Sequence, residues 1–380
     1  MKLLNTQAGA LALAILPFTA IQANEMNPDV SVVLDGYYKQ NHTALSHRDE
    51  GFGLGHTELS LSSPIDDLFE GRLTAVLEDH EGETELGLEE AFLQTTGMPY
   101  NLSVRGGRFL SQVGYLNSRH LHEDDFVERP AAYRALLGSH YFDDGLRVNL
   151  LLPTPFYWQI GAEAFDGNQL SEGEEDIGVY TVNTRLGGDL TPSQSWQAGL
   201  SYLNNRQVHG GHGDHGDHGD HGDHGDHGDD HDHGGHSHGA QYTGENLYMA
   251  DLVWKWAPGG NNRQQQLTLS GEYLYVDDLN EHATSDDVHE GWYASAVYQF
   301  APQWSAGARY GQVELREAHG DHFHDQELKE TDVMLAWSHS HFSTVRLQYT
   351  HQEAHGFEKA DNTVMLQYVM SFGAHGAHGF

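Results

Sequence analysis

The chain has 380 residues, of which 56 are Asp or Glu and only 19 are Lys or Arg, giving a formal net charge of −37. This composition argues against a nucleic-acid partner, because phosphate neutralisation needs basic side chains, and a strongly acidic surface favours cations. Disulfide bonds are excluded because there is no cysteine. Aromatic residues make up 11% of the chain despite a negative mean hydropathy, a combination typical of transmembrane β-barrels.

The first predicted element is a removable export signal. Lys2 supplies a short positive region, residues 8–21 form a mainly apolar run, and residues 21–23 read as a cleavage site. This is the pattern of a secretory signal peptide. We therefore predict that residues 1–23 are removed and that residues 24–380 form the exported protein. No later apolar run reaches the roughly 18 residues of a transmembrane helix.

Apolar and polar residues alternate through most of the remaining chain. Leu146, Val148 and Leu150, for example, alternate with Arg147 and Asn149, which predicts a β-strand. Short turns alternate with long connections, the layout of a bacterial outer-membrane barrel with long extracellular loops. A soluble β-sandwich would also alternate, but charged residues recur on the face that its core would need. We predict an all-β fold, a transmembrane antiparallel β-barrel of sixteen strands, spanning residues 29–40, 53–65, 69–79, 85–96, 100–109, 145–152, 156–166, 177–190, 194–205, 246–257, 264–277, 290–301, 304–315, 331–340, 343–352 and 362–380.

The connection over residues 110–144 is too long for a simple turn and contains apolar residues that must pack somewhere. We expect it to fold into the lumen and narrow it. It carries His120, His122 and Asp124 at close spacing, and imidazole nitrogens and carboxylate oxygens are ligands of zinc. We predict an ordered metal site at these three residues.

Residues 209–239 consist of 11 His, 8 Asp, 11 Gly and one Ser. A segment of this composition has nothing to bury, so we predict a disordered extracellular loop within the barrel domain. In an extended chain rising about 3.1 Å per residue, successive histidines of its His-Gly-Asp triplets lie roughly 9 Å apart. The loop must therefore bend to bring two of them to one ion. Its predicted ligands are His212, His215, His218, His221, His224, His227, His231, His233, His236 and His238.

A second ordered cluster is predicted in a long connection over residues 316–330, where His319, His322, His324 and Asp325 lie close together. Imidazole and carboxylate without thiol suit Zn²⁺, Ni²⁺ or Cu²⁺. Zinc is our choice from biological demand, as a bound rather than a catalytic ion. Acidic residues expected to face the lumen are Glu58, Glu78, Glu89, Glu163, Asp251, Glu272 and Glu314, with Arg105, Arg147, Arg185, Arg309 and Arg346 opposing them.

Three segments resemble a family of zinc-associated, porin-like outer-membrane proteins, distantly similar to the phosphate-selective porins. They are Gly-Tyr-Leu-Asn-x-x-His-x-His from Gly114 to His122, Asp-Asp-Gly from Asp143, and the tail from Ser371 to Phe380. The resemblance implies a sixteen-stranded barrel. Phosphate selectivity is not expected of this chain. It needs rows of lumenal Arg and Lys, and the chain has too few basic residues to form them.

These features favour a passive porin-like channel that binds a divalent transition metal on extracellular histidine-rich loops and favours cation passage. Its predicted partners are metal ions and outer-membrane lipid, and a homotrimer is one open arrangement. The alternative is a non-conducting metal-buffering barrel, or an accessory partner of a TonB-dependent zinc receptor. The chain is not expected to be such a receptor itself, because a receptor of that kind needs a plug domain and roughly 22 strands, and this chain is too short for both. We expect no enzyme, because neither G-x-S-x-G nor H-E-x-x-H occurs.

Overall fold

The computed structural model describes residues 28–80, 83–170, 177–209, 240–319, 322–357 and 361–374. The predicted signal peptide at residues 1–23, the predicted metal ligands of the 209–239 segment and the C-terminal Phe380 lie outside these described residues. Among the residues that are described, no helix is long and apolar enough to cross a bilayer.

The described residues form seventeen β-strands and one short α-helix, together with four 3₁₀ turns. The strands are β1 (Asp29–Lys39), β2 (Gly51–Leu54), β3 (Thr57–Pro64), β4 (Phe69–His80), β5 (Glu83–Thr95), β6 (Leu102–Leu110), β7 (Phe142–Leu151), β8 (Tyr157–Phe165), β9 (Val179–Thr191), β10 (Gln194–Asn205), β11 (Asn246–Trp256), β12 (Gln266–Asp277), β13 (His289–Ala301), β14 (Trp304–His319), β15 (His322–Ser340), β16 (Ser343–His355) and β17 (Asn362–Gly373). The helix, α1, spans Ala131–Leu137.

The strands form one closed antiparallel sheet. From β3 onward each strand pairs with the next along the chain, and β17 pairs back onto β1. Both β2 and β3 pair with β1, so they are two halves of one barrel strand, interrupted at Gly55 and His56. The barrel therefore has sixteen strand positions, which confirms the number predicted from alternation. A closed sheet satisfies its own backbone hydrogen bonds, as a lipid environment requires.

The two faces of the barrel wall differ in polarity. In β17, Val364, Leu366 and Tyr368 are 37%, 47% and 47% exposed, whereas Met365 and Gln367 between them are buried. Exposed large apolar side chains recur at alternate positions on the other strands as well. A continuous apolar outer face is unfavourable in water, so this face is the lipid-facing band of a membrane barrel.

The prediction of a loop over residues 316–330 is wrong. β14 and β15 continue through this region into a tall hairpin, in which Glu317 pairs with His324 and Arg316 pairs with Asp325. Polar side chains occupy both faces of this hairpin, because it extends past the lipid band. The strands therefore lack the apolar alternation from which the others were predicted.

The lumenal orientation predicted for the acidic residues is correct with one exception. Glu58, Glu89, Glu163, Asp251 and Glu272 are all buried inside the barrel, and Glu78 contacts a lumenal histidine.

The exception is Glu314, which is exposed on the outer side, whereas Val313 and Leu315 beside it are buried. Glu314 has the same strand parity as Tyr310, which is 40% exposed on the outer face, so its side chain points the same way.

The connection between β6 and β7, residues 111–141, folds into the lumen as predicted, and we name it the constriction loop. Its helix α1 is entirely buried and packs against β13, β14 and β15. Tyr133 and Leu136 of the helix join Leu274 and Tyr293 of the wall in an apolar cluster. The helix ends at Gly138 with φ 57°, a left-handed conformation that glycine adopts without strain. The hydrophobic core therefore lies inside the barrel.

Candidate metal centre

One side of the constriction loop is anchored by a buried carboxylate of β12. Glu272 accepts hydrogen bonds from the backbone N–H groups of Tyr115 and Leu116, at 2.8 and 3.1 Å. The hydroxyl groups of Tyr133 and Tyr293 donate to the same carboxylate, each at 2.8 Å. Hydrogen bonds to a charged group are among the stronger ones in proteins. Glu272 therefore fixes the loop to the wall rather than lining an open passage.

Other lumenal carboxylates are used in the same way. Glu163 accepts hydrogen bonds from the Ser111 hydroxyl at 2.5 Å and from the Arg147 guanidinium at 2.6 Å. Arg134 of helix α1 pairs with Glu330 of β15 at 2.5 Å, and both side chains are nearly fully buried. Two of the acidic residues expected in the lumen from the sequence, Glu163 and Glu272, thus hold the constriction loop.

On the opposite side of the lumen, the break between β2 and β3 turns a histidine inward. The backbone N–H of Gly55 donates to the carbonyl of Asp35 at 2.9 Å. A Cβ at residue 55 would collide with the side chains of Arg48 and Asp35, so a larger residue here would displace the ion pair that these two side chains form. The adjacent His56 side chain is only 4% exposed. Its Nδ1 lies 2.5 Å from Glu78 Oε1, and its Nε2 is directed into the lumen.

Next to it, β5 carries a β-bulge at Glu89. Thr74 of β4 pairs with Glu90, and Ala75 pairs with Leu88, so Glu89 has no cross-strand partner in this ladder. A bulge re-aims side chains relative to regular alternation. Both Glu89 and Glu90 are buried, at 2% and 3% exposure. Two consecutive carboxylates therefore face the lumen, which a regular strand does not allow.

The constriction loop brings three more histidines to these carboxylates. His120 and His122 lie at the 3₁₀ turn Leu121–Glu123, and His140 lies just before β7. The loop is held in place at its base by Asn117, whose side-chain amide donates to two backbone carbonyls at 2.9 and 2.8 Å. The three imidazoles are thus positioned by the fold of the loop itself.

Glu89 is at the centre of this arrangement. Its Oε1 lies 3.0 Å from His56 Nε2 and 3.0 Å from His140 Nε2. Neither nitrogen is in hydrogen-bonding geometry, and Oε1 and both nitrogens of His140 have no hydrogen-bond partner among the described residues. Ligand atoms around a tetrahedral zinc, at about 2.0–2.2 Å from the metal, lie about 3.3 Å apart. The spacing of these three atoms is therefore close to that of a metal ligand set.

The second oxygen of Glu89 faces a different partner. Glu89 Oε2 lies 3.0 Å from His120 Nδ1, which is also 3.6 Å from Glu58 Oε2. The other nitrogen of His120 lies 3.3 Å from Glu90 Oε2, and His122 Nδ1 lies 2.6 Å from Glu58 Oε1. We name the whole set the histidine–glutamate cluster; its members are His56, His120, His122, His140, Glu58, Glu78, Glu89 and Glu90.

Burial and charge act differently on the two loop histidines. Burial lowers the pKa of His140 below its ordinary value, so this imidazole is neutral at neutral pH and offers a lone pair. For His120, burial also lowers the pKa, but the charges of Glu58 and Glu89 outweigh it and raise the pKa well above the ordinary value. The cluster thus attracts positive charge, which a proton or a metal ion supplies.

The cluster separates two cavities. Glu58, Glu90, His120 and His122 line a cavity of about 790 Å³ that extends toward the short-turn end of the barrel. His56, Glu78 and His140 line a smaller cavity of about 80 Å³ on the side of the long connections. An ion moving between the two cavities at this position would pass the cluster.

The residues predicted as metal ligands have different fates in the fold. His120 and His122 belong to the cluster, whereas Asp124 pairs with Arg129 at 2.8 Å. His322 and His324 are exposed on the β15 hairpin.

Elsewhere on that hairpin, Asp325 forms an ion pair with Arg316, and His319 is a backbone partner of His322.

Four members of the cluster, His56, His140, Glu89 and Glu90, carry no sequence motif that marks them as ligands. Glu89 was expected only to face the lumen. The available signal was the alternation of inward and outward side chains along a strand. It places Glu58, Glu78 and Glu89 on the lumenal face of three neighbouring strands. The strand break at His56 and the bulge at Glu89 depend on cross-strand pairing, which one sequence does not reveal.

Comparisons with known proteins support the barrel. No family model matches the chain. An uncharacterised protein of Aquifex aeolicus (strain VF5) is 28% identical over 390 aligned residues, covering 96% of this chain and 79% of that protein.

Solved structures of similar fold include an anion-selective porin from Comamonas acidovorans (TM-score 0.56, 9% identity, 92% of this chain and 100% of that one). OmpF of Salmonella typhi, in complex with daunomycin, has a TM-score of 0.55 at 13% identity, covering 91% and 97%. The trimer form of OmpT, an outer-membrane protein of Vibrio cholerae, has a TM-score of 0.56 at 8% identity, covering 92% and 100%.

At these identities the likeness shows the fold alone, and it supports the porin-like part of the family resemblance. Together with the closed sheet and its lipid-facing band, it leads to one conclusion. The chain is a sixteen-stranded, porin-like β-barrel of the bacterial outer membrane.

Proposed function

We propose that this barrel is a passive channel that binds a divalent transition metal, with zinc as the first choice, and favours its passage. The observation that carries the proposal is the histidine–glutamate cluster between the two lumenal cavities. The zinc association implied by the family resemblance belongs to this proposal. The protein acts by binding and conduction, not by catalysis.

The chemistry of the cluster favours a metal over a purely structural role. The Nε2 of His56 and the Nε2 of His140 converge on Glu89 Oε1 without making hydrogen bonds. Buried polar atoms are normally paired, so unpaired ones that converge are candidates for a ligand. Glu78 accepts from the other nitrogen of His56, and a carboxylate that orients a ligating imidazole in this way is common in zinc sites.

The 209–239 segment would supply this site with ions. Its histidines and aspartates match the ligand preferences of the same metals, and it connects β10 to β11 at the end of the barrel that bears the long connections. Ions held there, at the mouth of the barrel, would be concentrated close to the smaller cavity. We include His319, His322 and His324 in this outer, weaker set of ligands.

Cation preference rests on the cluster and not on the overall charge of the lumen. The larger cavity is lined by equal numbers of basic and acidic side chains: Arg72, Arg105, Arg119, Arg147 and Arg185, against Asp29, Glu58, Glu90, Glu123 and Asp189. A binding site in the passage lets a cation exchange its hydration shell for protein ligands. Selectivity would then be greatest for ions that imidazole binds well.

Conductance in a planar bilayer tests the proposal. We would compare the wild-type chain with the full-length chain in which the eleven histidines of 209–239 are changed to Asn, here called the repeat-silenced chain. We expect both to conduct, and micromolar Zn²⁺ to alter the conductance of both, more weakly in a His140→Ala variant. His282→Ala is the matched control, because His282 is an exposed histidine remote from the cluster in sequence.

A barrel that binds Zn²⁺ but does not conduct would instead be a metal buffer or an accessory partner of a metal receptor. The burial of helix α1 against the wall is the observation that favours this second function. A homotrimer, as in the trimer form of Vibrio cholerae OmpT, is part of the channel proposal, and native mass spectrometry in detergent tests it.

A further inference from the structure

We infer that Glu89 bridges two adjacent metal positions, one held with His56 and His140 and the other with Glu58 and His120. This inference rests on the proposed function, which needs only one metal site. It adds that the lumen holds a pair of ions that share one carboxylate.

The two oxygens of Glu89 face different imidazoles, in two ligand groups that adjoin each other, since His56 Nε2 also lies 3.6 Å from Glu58 Oε1. Oε1 is 3.0 Å from the Nε2 atoms of His56 and His140. Oε2 is 3.0 Å from His120 Nδ1, which lies 3.6 Å from Glu58 Oε2. Within each group of three residues, the potential ligand atoms all lie within 4.8 Å of one another. Glu89 is the only residue common to both groups, so it is the bridge.

Burial distinguishes both groups from clusters of charged side chains on a surface, and the first group also contains atoms without hydrogen bonds. The side chains of Glu89 and Glu58 are each 2% exposed, and that of His56 is 4% exposed. In the first group Glu89 Oε1, His56 Nε2 and His140 Nε2 lack hydrogen-bond partners among the described residues. A buried polar atom without a partner is costly, and a coordinated metal ion removes that cost.

The amount of negative charge fits more than one ion. Glu58, Glu78, Glu89 and Glu90 carry four negative charges when ionised, and Arg72, which lies 3.7 Å from Glu90, is 44% exposed. Even with this arginine counted, the carboxylates exceed the charge of one divalent ion when the imidazoles are neutral. A second ion offsets the excess.

The two groups open toward different cavities. His56 and His140 line the smaller cavity on the side of the long connections, whereas Glu58 and His120 line the larger cavity on the side of the short turns. Ions in carboxylate-bridged pairs lie about 3.5–4 Å apart. At that distance the ions repel each other, so arrival of one ion on the outer side would weaken the hold on the inner one. Conduction through adjacent sites uses this effect.

Zinc stoichiometry tests the inference in the repeat-silenced chain, purified in detergent and loaded with Zn²⁺ alone before gel filtration and metal analysis. We expect two retained equivalents per chain. His140→Asn should lose one equivalent, His120→Asn should lose the other, and Glu89→Gln should lose both. His282→Asn should keep two. The two histidine variants leave the barrel wall unchanged, so they remain informative if Glu89→Gln does not fold.

Cu²⁺ provides the measurement that detects bridging. At two equivalents the electron paramagnetic resonance signal should be broadened by coupling between close ions, and His140→Asn loaded with one equivalent should give an uncoupled signal. Two equivalents of Cu²⁺ without coupling would overturn the shared bridge and leave the single-site function intact. One equivalent of Zn²⁺ that is lost in His140→Asn, His120→Asn and Glu89→Gln alike would have the same meaning. No retained equivalent at all would overturn both proposals.

Discussion

Two buried glutamates face the constriction loop from opposite sides of the barrel, and their surroundings differ. Glu272 is 4% exposed and accepts hydrogen bonds from four donors, two of them the loop backbone at Tyr115 and Leu116. Glu89 is 2% exposed, yet its Oε1 faces the imidazoles of His56 and His140 without a hydrogen bond. One carboxylate is fully satisfied by the protein and the other is not.

The difference in hydrogen bonding between Glu272 and Glu89 distinguishes a structural contact of the constriction loop from a ligand-binding one. A buried charge that is fully hydrogen-bonded stabilises the fold and leaves nothing for a ligand. A buried charge that is left incompletely paired costs stability, and such a cost persists in native proteins where a ligand offsets it. We therefore assign the Glu272 side of the loop to anchoring and the Glu89 side to metal binding.

The largest expected effect comes from removing the anchor. Glu272→Leu leaves four buried donors without an acceptor, so local opening of the constriction loop should become easier by at least about 3 kcal/mol. Native-state hydrogen exchange of residues 111–141 measures this opening. Glu89→Gln, without metal, should leave the same exchange rates nearly unchanged. Equal loss of protection in the two variants would contradict the division of roles.

The second effect concerns metal affinity and should be confined to the other side of the loop. In the repeat-silenced chain, Glu89→Gln should weaken Zn²⁺ binding by about 100-fold or more, or about 2.7 kcal/mol, and His140→Ala should cause the same loss at the position that His140 helps to form. Calorimetric titration with Zn²⁺ measures this change. Glu272→Gln retains an acceptor oxygen and should bind Zn²⁺ with nearly wild-type affinity. A comparable loss in Glu272→Gln would mean that the two sides are not independent.

A smaller effect is expected at Glu78, which contacts Nδ1 of His56 at 2.5 Å and orients the ring without joining either ligand group. Glu78→Gln should reduce Zn²⁺ affinity by about 10- to 100-fold, the usual cost of removing a carboxylate that supports a ligating histidine. The same titration measures it. A loss as large as that of Glu89→Gln would indicate that Glu78 is itself a ligand.

The smallest effect is expected on the outer face. Glu314→Gln changes a side chain that the structure places outside the lumen, so it should alter stability by no more than about 0.5 kcal/mol. It should leave Zn²⁺ affinity and ion selectivity in a planar bilayer unchanged. A shift in selectivity would mean that Glu314 lies close to the conduction path.

The sequence was sufficient for the barrel, because each strand of the lipid band must present apolar residues on one face at a period of two. It was insufficient for residues 316–330, where the strands rise beyond the lipid and polar residues occupy both faces. The anchoring role of Glu272 was also hidden. The alternation along a strand shows which face of the sheet a side chain lies on, but not which groups it contacts.

The candidate site was predictable only in part. The spacing of His120 and His122 marked them as ligands, and they belong to the cluster. Asp124 has the same apparent suitability, yet it pairs with Arg129, a contact set by the path of the loop. His56 and Glu89 were missed because each sits at an irregularity of the sheet. Such departures from local regularity are expected where a protein builds a functional site.

The bulge at Glu89 has a consequence for how this centre is inherited. Because Glu89 is the extra residue of the β4–β5 ladder, deleting one codon there would restore regular pairing and keep the barrel and its lipid band intact. The same deletion would remove the carboxylate common to both ligand groups. A diverging lineage can therefore lose the metal centre in one step without losing the pore, and an alignment of relatives without a gap at this position would misplace the site by one residue.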